Sequence, residues 1–166
     1  MDRGGALSAS AREGRRRAFA VIVGTAVVVI ALDHLTKWLV VQHLPLGGQA
    51  LSGSPVSITH IRNRGAAFGI GPQFQWVYLG AAFLVAVYIL LAGHRHGTSA
   101  FRQVVLGMIL GGAISNGVDR LAQGYVVDFI DLHRWPVFNV ADTSIVIGIV
   151  LAVLTFRGRA ADASHP

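Results

Sequence analysis

The feature that most constrains this chain is a series of four long apolar stretches separated by polar connections. They run from about residues 18 to 41, 74 to 92, 101 to 121 and 140 to 156 of the 166 residues. A bilayer core about 30 Å thick needs about 20 mostly apolar residues per helix, so each stretch is long enough, or nearly so, to cross a membrane. Only 13% of the residues are charged, about half the usual share in a soluble domain. The sequence therefore predicts an α-helical integral membrane protein with four transmembrane helices.

The arginines predict the orientation of these helices. Nine lie in the two terminal segments or flank the connection between the second and third stretches, and four lie in or flank the other two connections. Because basic residues collect on the cytoplasmic side, both termini are predicted to be cytoplasmic. Residues 1–17 then form a disordered basic tail, residues 157–166 a second cytoplasmic tail, and residues 42–73 and 122–139 outer loops. This topology explains the net charge of +6, and no nucleic-acid partner is expected.

The first outer loop contains a segment with the alternation typical of a strand. Apolar and polar residues alternate along residues 55–61, and several of them are β-branched. We therefore expect a small β-rich cradle on the extracytoplasmic face. Later in the same loop, Gly71 and Pro72 indicate a place where a nearby segment can move as a lid.

Five carboxylates outside the tails are the main chemical signal. In the predicted topology all of them fall at or near the outer membrane surface, namely Asp33, Asp119, Asp128, Asp131 and Asp142. Ionisable groups at membrane depth are costly to bury and usually mark a functional path. Asp128 lies alone among large apolar residues and Asp142 opens the fourth helix, so together they can form a pair in which one acid keeps its proton. Such a pair can activate water and protonate a leaving amine, and it titrates as a unit.

Each of these residues also has a plain structural interpretation, which the sequence leaves open. Asn139 or Asp142 can cap the fourth helix by accepting its free amide hydrogens. Asp33 and Lys37, spaced i and i+4, can form an intrahelical pair with Lys37 reaching outward. Asp119 can belong to a polar network that closes the outer end of the third helix.

Glycine-rich segments have structural and functional interpretations as well. Gly107 and Gly111 form a small-xxx-small face, whose ordinary meaning is close helix packing. Residues 63–69 are rich in glycine and alanine, which is typical either of a tight turn or of backbone that passes close to a bound group. In the second case the side chain of Asn63 can hydrogen-bond that group.

Other chemistries find less support in the residues. The chain has no cysteine, which excludes thiolate catalysis, and no His-Glu-x-x-His pattern, which leaves a helical zinc protease site with little support. A small proton-coupled transporter is the main rival function, but a proton relay would place carboxylates at several depths rather than on one side. A noncatalytic scaffold packed through Gly107 and Gly111 would leave Asp128 and Asp142 unexplained. No metal or organic cofactor is expected.

Five short blocks together resemble one family, lipoprotein signal peptidase, also called signal peptidase II. They appear in the family's order across about 110 residues: DHLTK at 33–37, NRGAAF at 63–68, GGAISNGVDR at 111–120, VVDFI at 126–130 and FNVAD at 138–142. One position departs from the family pattern, because Ser115 stands where a glycine often precedes the asparagine.

The resemblance implies an aspartyl endopeptidase of the bacterial inner membrane, active on the extracytoplasmic side without a cofactor. Such an enzyme removes the signal peptide from diacylglyceryl-modified prolipoproteins, just before the lipidated cysteine. By this resemblance the catalytic pair is Asp128 and Asp142. The positions that the resemblance implies in substrate orientation or support of the pair are Asn63, Asn116, Arg120, Asn139, Asp33 and Lys37. The implied partners are the lipidated precursor, membrane lipids and cyclic-peptide inhibitors of the globomycin type.

Overall fold

The computed structural model describes residues 3–65, 75–96 and 99–156. These residues form four helices and three strands, joined by turns and loops. Their order is α1 (Arg3–His43), β1 (Gln49–Ala50), β2 (Ser57–Asn63), α2 (Gln75–His96), α3 (Ala100–Gln123), β3 (Val126–Asp131) and α4 (Val140–Phe156). By length and composition α1, α2 and α3 can each cross a bilayer, whereas α4 is a shorter apolar helix. The predicted class, a helical membrane protein with a small sheet, is confirmed.

Two segments differ from what the sequence predicted. Helix α1 begins at Arg3, so residues 3–17 continue the first helix where a disordered tail was expected. Alanine, arginine and glutamate favour helix, and the segment has no proline to end one. Strand β3 lies inside the predicted loop 122–139, because its apolar, β-branched residues pair with β2. The tail 157–166, residues 66–68 of one motif, and the expected lid at residues 71–72 lie outside the described residues.

Helix α3 lies at the centre of the bundle and packs closely on both α1 and α4. A Cβ atom added at Gly107 or Gly111 would lie 2.6 or 2.7 Å from a backbone carbonyl oxygen of α1. A Cβ added at Gly112 would lie 2.5 Å from the carbonyl oxygen of Ala141 on α4. These spaces admit no side chain, so the prediction of a close-packing glycine face is confirmed.

The three strands form one antiparallel sheet in the order β1-β2-β3. Asn63 on β2 lies opposite Val126 on β3. Because side chains alternate along a strand, Asp128 shares the face of Val126 and is a diagonal neighbour of Asn63. On the apolar side of the sheet, Val127 packs in a cluster with Val40 near the end of α1. The sheet therefore sits at one end of the helical bundle and presents Asp128 there.

Burial in this protein is the reverse of the pattern in a soluble domain. The large apolar residues Trp76, Leu91 and Leu154 each expose at least 70% of their surface. The polar residues Asp33 and Asn139 are completely buried. An apolar exterior around a polar cluster suits a lipid environment, where ionisable side chains face the interior of the protein.

Candidate active site

Asp128 is held in the sheet by two amide side chains. It is 2% exposed, in the middle of the buried strand β3. One carboxylate oxygen accepts a hydrogen bond from Asn63 Nδ2 at 2.8 Å, as the register of β2 and β3 allows. The other accepts from Asn139 Nδ2 at 2.7 Å. Both acceptor atoms are thus fixed by neutral amide donors.

Asp142 lies in the first turn of α4 and forms a reciprocal cap with Asn139. The Asp142 amide donates to Asn139 Oδ1 at 2.8 Å, and the Asn139 amide donates to Asp142 Oδ2 at 3.3 Å. This is the arrangement of a capping box, which satisfies amide hydrogens that the helix itself leaves unpaired. The other carboxylate oxygen, Oδ1, accepts from Asn116 Nδ2 at 2.7 Å. The capping interpretation is therefore confirmed, and it fixes the orientation of the carboxylate.

Asn139 joins the two carboxylates. Its side chain binds Asp128 while its backbone amide binds Asp142, so one residue contacts both acids. The same side-chain nitrogen also lies 3.3 Å from Asn116 Oδ1. Strand β3 and the start of α4, which are connected by a short loop, thereby bring the two predicted acids together at the end of α3.

This environment makes Asp128 a weaker acid than an ordinary aspartate. Burial, together with the nearby charge of Asp142, raises the pKa of its carboxyl group from 3.8 to about 6. The hydrogen bonds from Asn63 and Asn139 and the charge of Lys37 lower the pKa, but they do not offset the burial. Asp128 therefore holds a proton at pH values where an ordinary aspartate is ionised.

Lys37 forms ion pairs with a second pair of acids beside the first. Its Nζ atom lies 2.5 Å from Asp33 Oδ2 and 2.6 Å from Asp119 Oδ2, and it donates to Asn116 Oδ1 at 3.1 Å. The intrahelical pair of Asp33 and Lys37 is confirmed. The expectation that Lys37 reaches outward is wrong, since only 4% of the residue is exposed. The two acids and the amide oxygen on α3 draw the ammonium group inward instead.

Asp33 also fixes the start of α4, which the sequence analysis did not foresee. Its Oδ1 accepts from the backbone amide of Ala141 at 2.8 Å, next to Asp142. Its Oδ2 accepts from Ser115 Oγ at 2.7 Å. Ser115 was noted only as a departure from the family pattern, and its hydroxyl beside the polar residues at the end of α3 was the one available signal. No local pattern could pair Asp33 with a backbone amide so distant in the sequence.

Arg120 connects α3 with the segment that follows β2. One guanidinium nitrogen donates to the Asn116 carbonyl at 3.2 Å and another to the Gly65 carbonyl at 3.1 Å. The guanidinium carbon lies 5.6 Å from the centre of the Tyr78 ring on α2, within range of a cation–π contact. All eight residues predicted for the site thus belong to one network of contacts.

The chemistry available here is that of acids and amides. Among the residues that the structure describes, no three His, Asp or Glu side chains lie close enough to hold a metal ion. A buried acid that keeps its proton up to about pH 6, next to a second carboxylate, is an arrangement that can supply both a general acid and a general base.

Comparisons with known proteins agree with this chemistry. A family model described as signal peptidase (SPase) II matches residues 25–157. The lipoprotein signal peptidase of Syntrophomonas wolfei subsp. wolfei is 38% identical over 132 residues, which cover 79% of this chain and 89% of the relative. The lipoprotein signal peptidase of Mycobacterium tuberculosis is 43% identical over 145 residues, which cover 83% and 71% of the two chains.

Two solved structures share the fold. Both are described as bacterial membrane enzyme structures. One has a TM-score of 0.79 at 26% identity and covers 87% of this chain and 92% of its own. The other has a TM-score of 0.72 at 29% identity and covers 80% and 90%. With the family match over residues 25–157, these likenesses show that the chain is a multi-pass membrane protein and belongs to the signal peptidase II family.

Proposed function

We propose that this chain cleaves the signal peptide from diacylglyceryl-modified prolipoproteins, just before the lipidated cysteine, with Asp128 and Asp142 as its catalytic pair. The observation that carries the proposal is the convergence of these two acids through Asn139, which hydrogen-bonds to both. The names of the relatives, lipoprotein signal peptidases, supply the substrate class.

Hydrolysis needs a base and an acid at the same peptide bond. One carboxylate accepts a proton from water as the water oxygen bonds to the carbonyl carbon. The protonated partner polarises the carbonyl oxygen, and a proton then passes to the amine as the carbon–nitrogen bond breaks. Each positioned acid or base typically contributes about 10²–10⁴-fold in rate. The raised pKa of Asp128 supports a pair that retains one proton, although the two roles belong to the pair as a unit.

The amides and charges around the pair have a positioning role in this proposal. Asn63, Asn116 and Asn139 hold the carboxylates in register through the hydrogen bonds described above. Asp33, neutralised by Lys37, fixes the first turn of α4 and with it Asp142. Arg120 ties the end of α3 to Gly65, just after β2, and so holds the position of that part of the chain next to the network.

The depth of the pair suits a lipidated precursor. The acids lie where the apolar helices end and the sheet begins, near the level of the lipid headgroups. In the precursor, acyl chains anchor one side of the scissile bond and the apolar signal segment anchors the other. We place this end of the bundle on the extracytoplasmic side of the bacterial inner membrane, with both termini cytoplasmic, because nine arginines lie toward the opposite side.

The transporter alternative has less support. A proton relay would need carboxylates at successive depths of the membrane. Apart from Glu13, which lies among the arginines near the start of α1, the acidic side chains of the described α1, α3 and α4 are Asp33, Asp119 and Asp142, which gather at one end in a single contact network. Cyclic peptides of the globomycin type are expected to bind at the pair and to inhibit cleavage by occupying the place of the precursor.

A cleavage assay with purified protein tests the proposal. The precursor is supplied with or without its diacylglyceryl group, and the products are separated by gel electrophoresis and sequenced from the new amino terminus. We expect cleavage of the lipidated form alone, just before the cysteine, and protection by a globomycin-type peptide. Equal cleavage of both forms would contradict the substrate assignment, and no cleavage of either would contradict the activity.

A further inference from the structure

A groove between α1 and α2 lies far from the acid network. It encloses about 400 Å³ and is lined on α1 by Arg15, Arg16, Phe19 and Ile22, and on α2 by residues 89–91. With a rise of 1.5 Å per residue, the 17 helical residues from Arg16 to Asp33 span about 26 Å. The groove therefore lies near the membrane surface opposite the acids, and it is separate from the candidate active site.

The walls of the groove are apolar and its rim is cationic. Ile22 and Ile89 form a floor that is 2% and 4% exposed, and the half-exposed Phe19 forms one wall. Arg15 and Arg16 stand exposed at one end. Among the described side chains, no acid forms an ion pair with either guanidinium group. Glu13, one turn earlier on the same helix, does not pair with them either.

This combination selects one class of ligand. A free phosphate would bind the arginines but leave the apolar floor uncovered, and a neutral lipid would fill the floor but leave two charges without a counter-ion. From Arg15 to Ile22 the groove runs about 10 Å along α1, too short for a membrane-spanning helix of a partner protein. An acidic phospholipid carries both an anionic headgroup and an acyl chain on one molecule. Basic pockets between transmembrane helices are known to bind such headgroups.

We propose that this groove binds one acidic phospholipid, with its headgroup on Arg15 and Arg16 and an acyl chain along Phe19, Ile22 and Ile89. The lipid contacts α1 and α2 together and completes the packing between them at this end of the bundle. The proposal depends on residues outside the acid network, so it stands or falls independently of the peptidase chemistry.

Native mass spectrometry of the full chain, released from neutral detergent micelles, tests this proposal by counting bound lipids. Phosphatidylglycerol is titrated against phosphatidylcholine with the same acyl chains, and water-soluble glycerol phosphate is added as a competitor. We expect one phosphatidylglycerol to bind at least tenfold more tightly than phosphatidylcholine. Glycerol phosphate, which lacks the acyl chain, should compete poorly.

Paired substitutions locate the site. The double variant Arg15→Ala/Arg16→Ala should weaken phosphatidylglycerol binding about 30-fold, the effect expected of two arginines near a lipid surface. The matched control Arg12→Ala/Arg17→Ala removes the same charge from the same helix outside the groove, and it should weaken binding clearly less than the groove variant because it removes no direct contact with the headgroup. Equal losses in the two double variants, equal binding of the two lipids, or full competition by glycerol phosphate would each overturn the proposal.

Discussion

Two groups of aspartates lie side by side at one end of this molecule in opposite electrostatic settings. Asp33 and Asp119 share the ammonium group of Lys37, with both distances at or below 2.6 Å. Asp128 and Asp142 accept their hydrogen bonds from neutral amides of asparagine and the backbone. Asn116 joins the groups, since its amide oxygen accepts from Lys37 and its nitrogen donates to Asp142.

The different partners give the two groups of aspartates different roles, one structural and one suited to proton transfer. A buried cation binds both carboxylates of the first group and makes them structural anchors, one of which holds the first turn of α4. Neutral amides orient the other two acids without neutralising them, so burial and mutual repulsion favour a shared proton. The same residue type therefore holds the fold in one group and is available for proton transfer in the other.

The largest effect should come from removing one acid of the amide-held pair. Asp128→Asn or Asp142→Asn should lower the cleavage rate of a lipidated precursor by about 10³-fold or more, because the proton-transfer pair is lost. Both proteins should still insert and show native helix content by circular dichroism. Asp131→Asn, the same change on β3 in a residue bonded to Thr59, is the matched control and should retain near-normal activity. Robust activity in either pair variant would refute the assignment.

Removing the lysine that binds Asp33 and Asp119 should instead destabilise the fold. Lys37→Met leaves Asp33 and Asp119 buried without their cation and should cost about 3–5 kcal/mol of unfolding free energy. Thermal unfolding in detergent measures this loss. His34→Ala removes a 40% exposed side chain 3.7 Å from Asp119 and should cost less than about 1 kcal/mol. Per folded molecule, Lys37→Met should lose less activity than Asp128→Asn, and an equal loss would erase the contrast between the groups.

A change in helix packing should affect the pair through α4. Gly112→Ala puts a Cβ against the Ala141 carbonyl, beside Asp142, and should cost about 1–3 kcal/mol by overpacking. It should also reduce the cleavage rate, because the first turn of α4 moves. Gly80→Ala on α2, where a Cβ meets nothing within 4 Å, is the control and should leave both measurements unchanged. Normal cleavage by Gly112→Ala would show that the catalytic pair tolerates a displacement of α4.

The pH profile reports the shared proton. Cleavage should fall as the pH rises through about 6, where Asp128 loses its proton. Asn63→Ala removes a donor that favours the ionised carboxylate, so the pKa rises and the alkaline limb should move up by less than about one pH unit. Thr59→Ala, on the same strand but bonded to Asp131, should leave the limb in place. If the alkaline limb of Asn63→Ala stays at the wild-type pH, the pH profile does not report the titration of Asp128.

The smallest effect should come from removing the hydrogen bond between the uncharged Ser115 and Asp33. Ser115→Ala removes the hydroxyl that donates to Asp33 at 2.7 Å and should cost about 1–3 kcal/mol, toward the lower value because Lys37 still neutralises the acid. Chemical denaturation of the purified protein measures this. A loss as large as that of Lys37→Met would make the hydroxyl, rather than the cation, the main support of Asp33.

Local sequence patterns predicted the parts of this molecule that depend on short-range chemistry. Apolar stretches predicted the four helices, i and i+4 spacing predicted the pair of Asp33 and Lys37, and residue types at the start of α4 predicted its cap. Strand β3 was missed because a run of apolar, β-branched residues interrupted by Asp128 was assigned to a loop. The strand is defined by pairing with β2, a partner that periodicity does not reveal.

Long-range contacts escaped prediction for a physical reason. The bond from the Ala141 amide to Asp33 depends on the approach of α1 and α4 around α3, which is set by the space left at its glycines. The inward course of Lys37 depends likewise on Asp119 and Asn116 of another helix. Motif resemblance identified these residues as a group, but their connections are visible only in three dimensions.

Infrared titration of the resting enzyme tests the shared proton most directly. Difference spectra between the wild type and Asp128→Asn, recorded from pH 4.5 to 8, isolate the carboxyl stretch of the neutral acid. We expect a protonated carboxyl band that disappears with a midpoint near pH 6 and is absent from the variant. A carboxyl already ionised across this range, like an ordinary aspartate with a pKa of about 3.9, would contradict a pair that keeps one proton for catalysis.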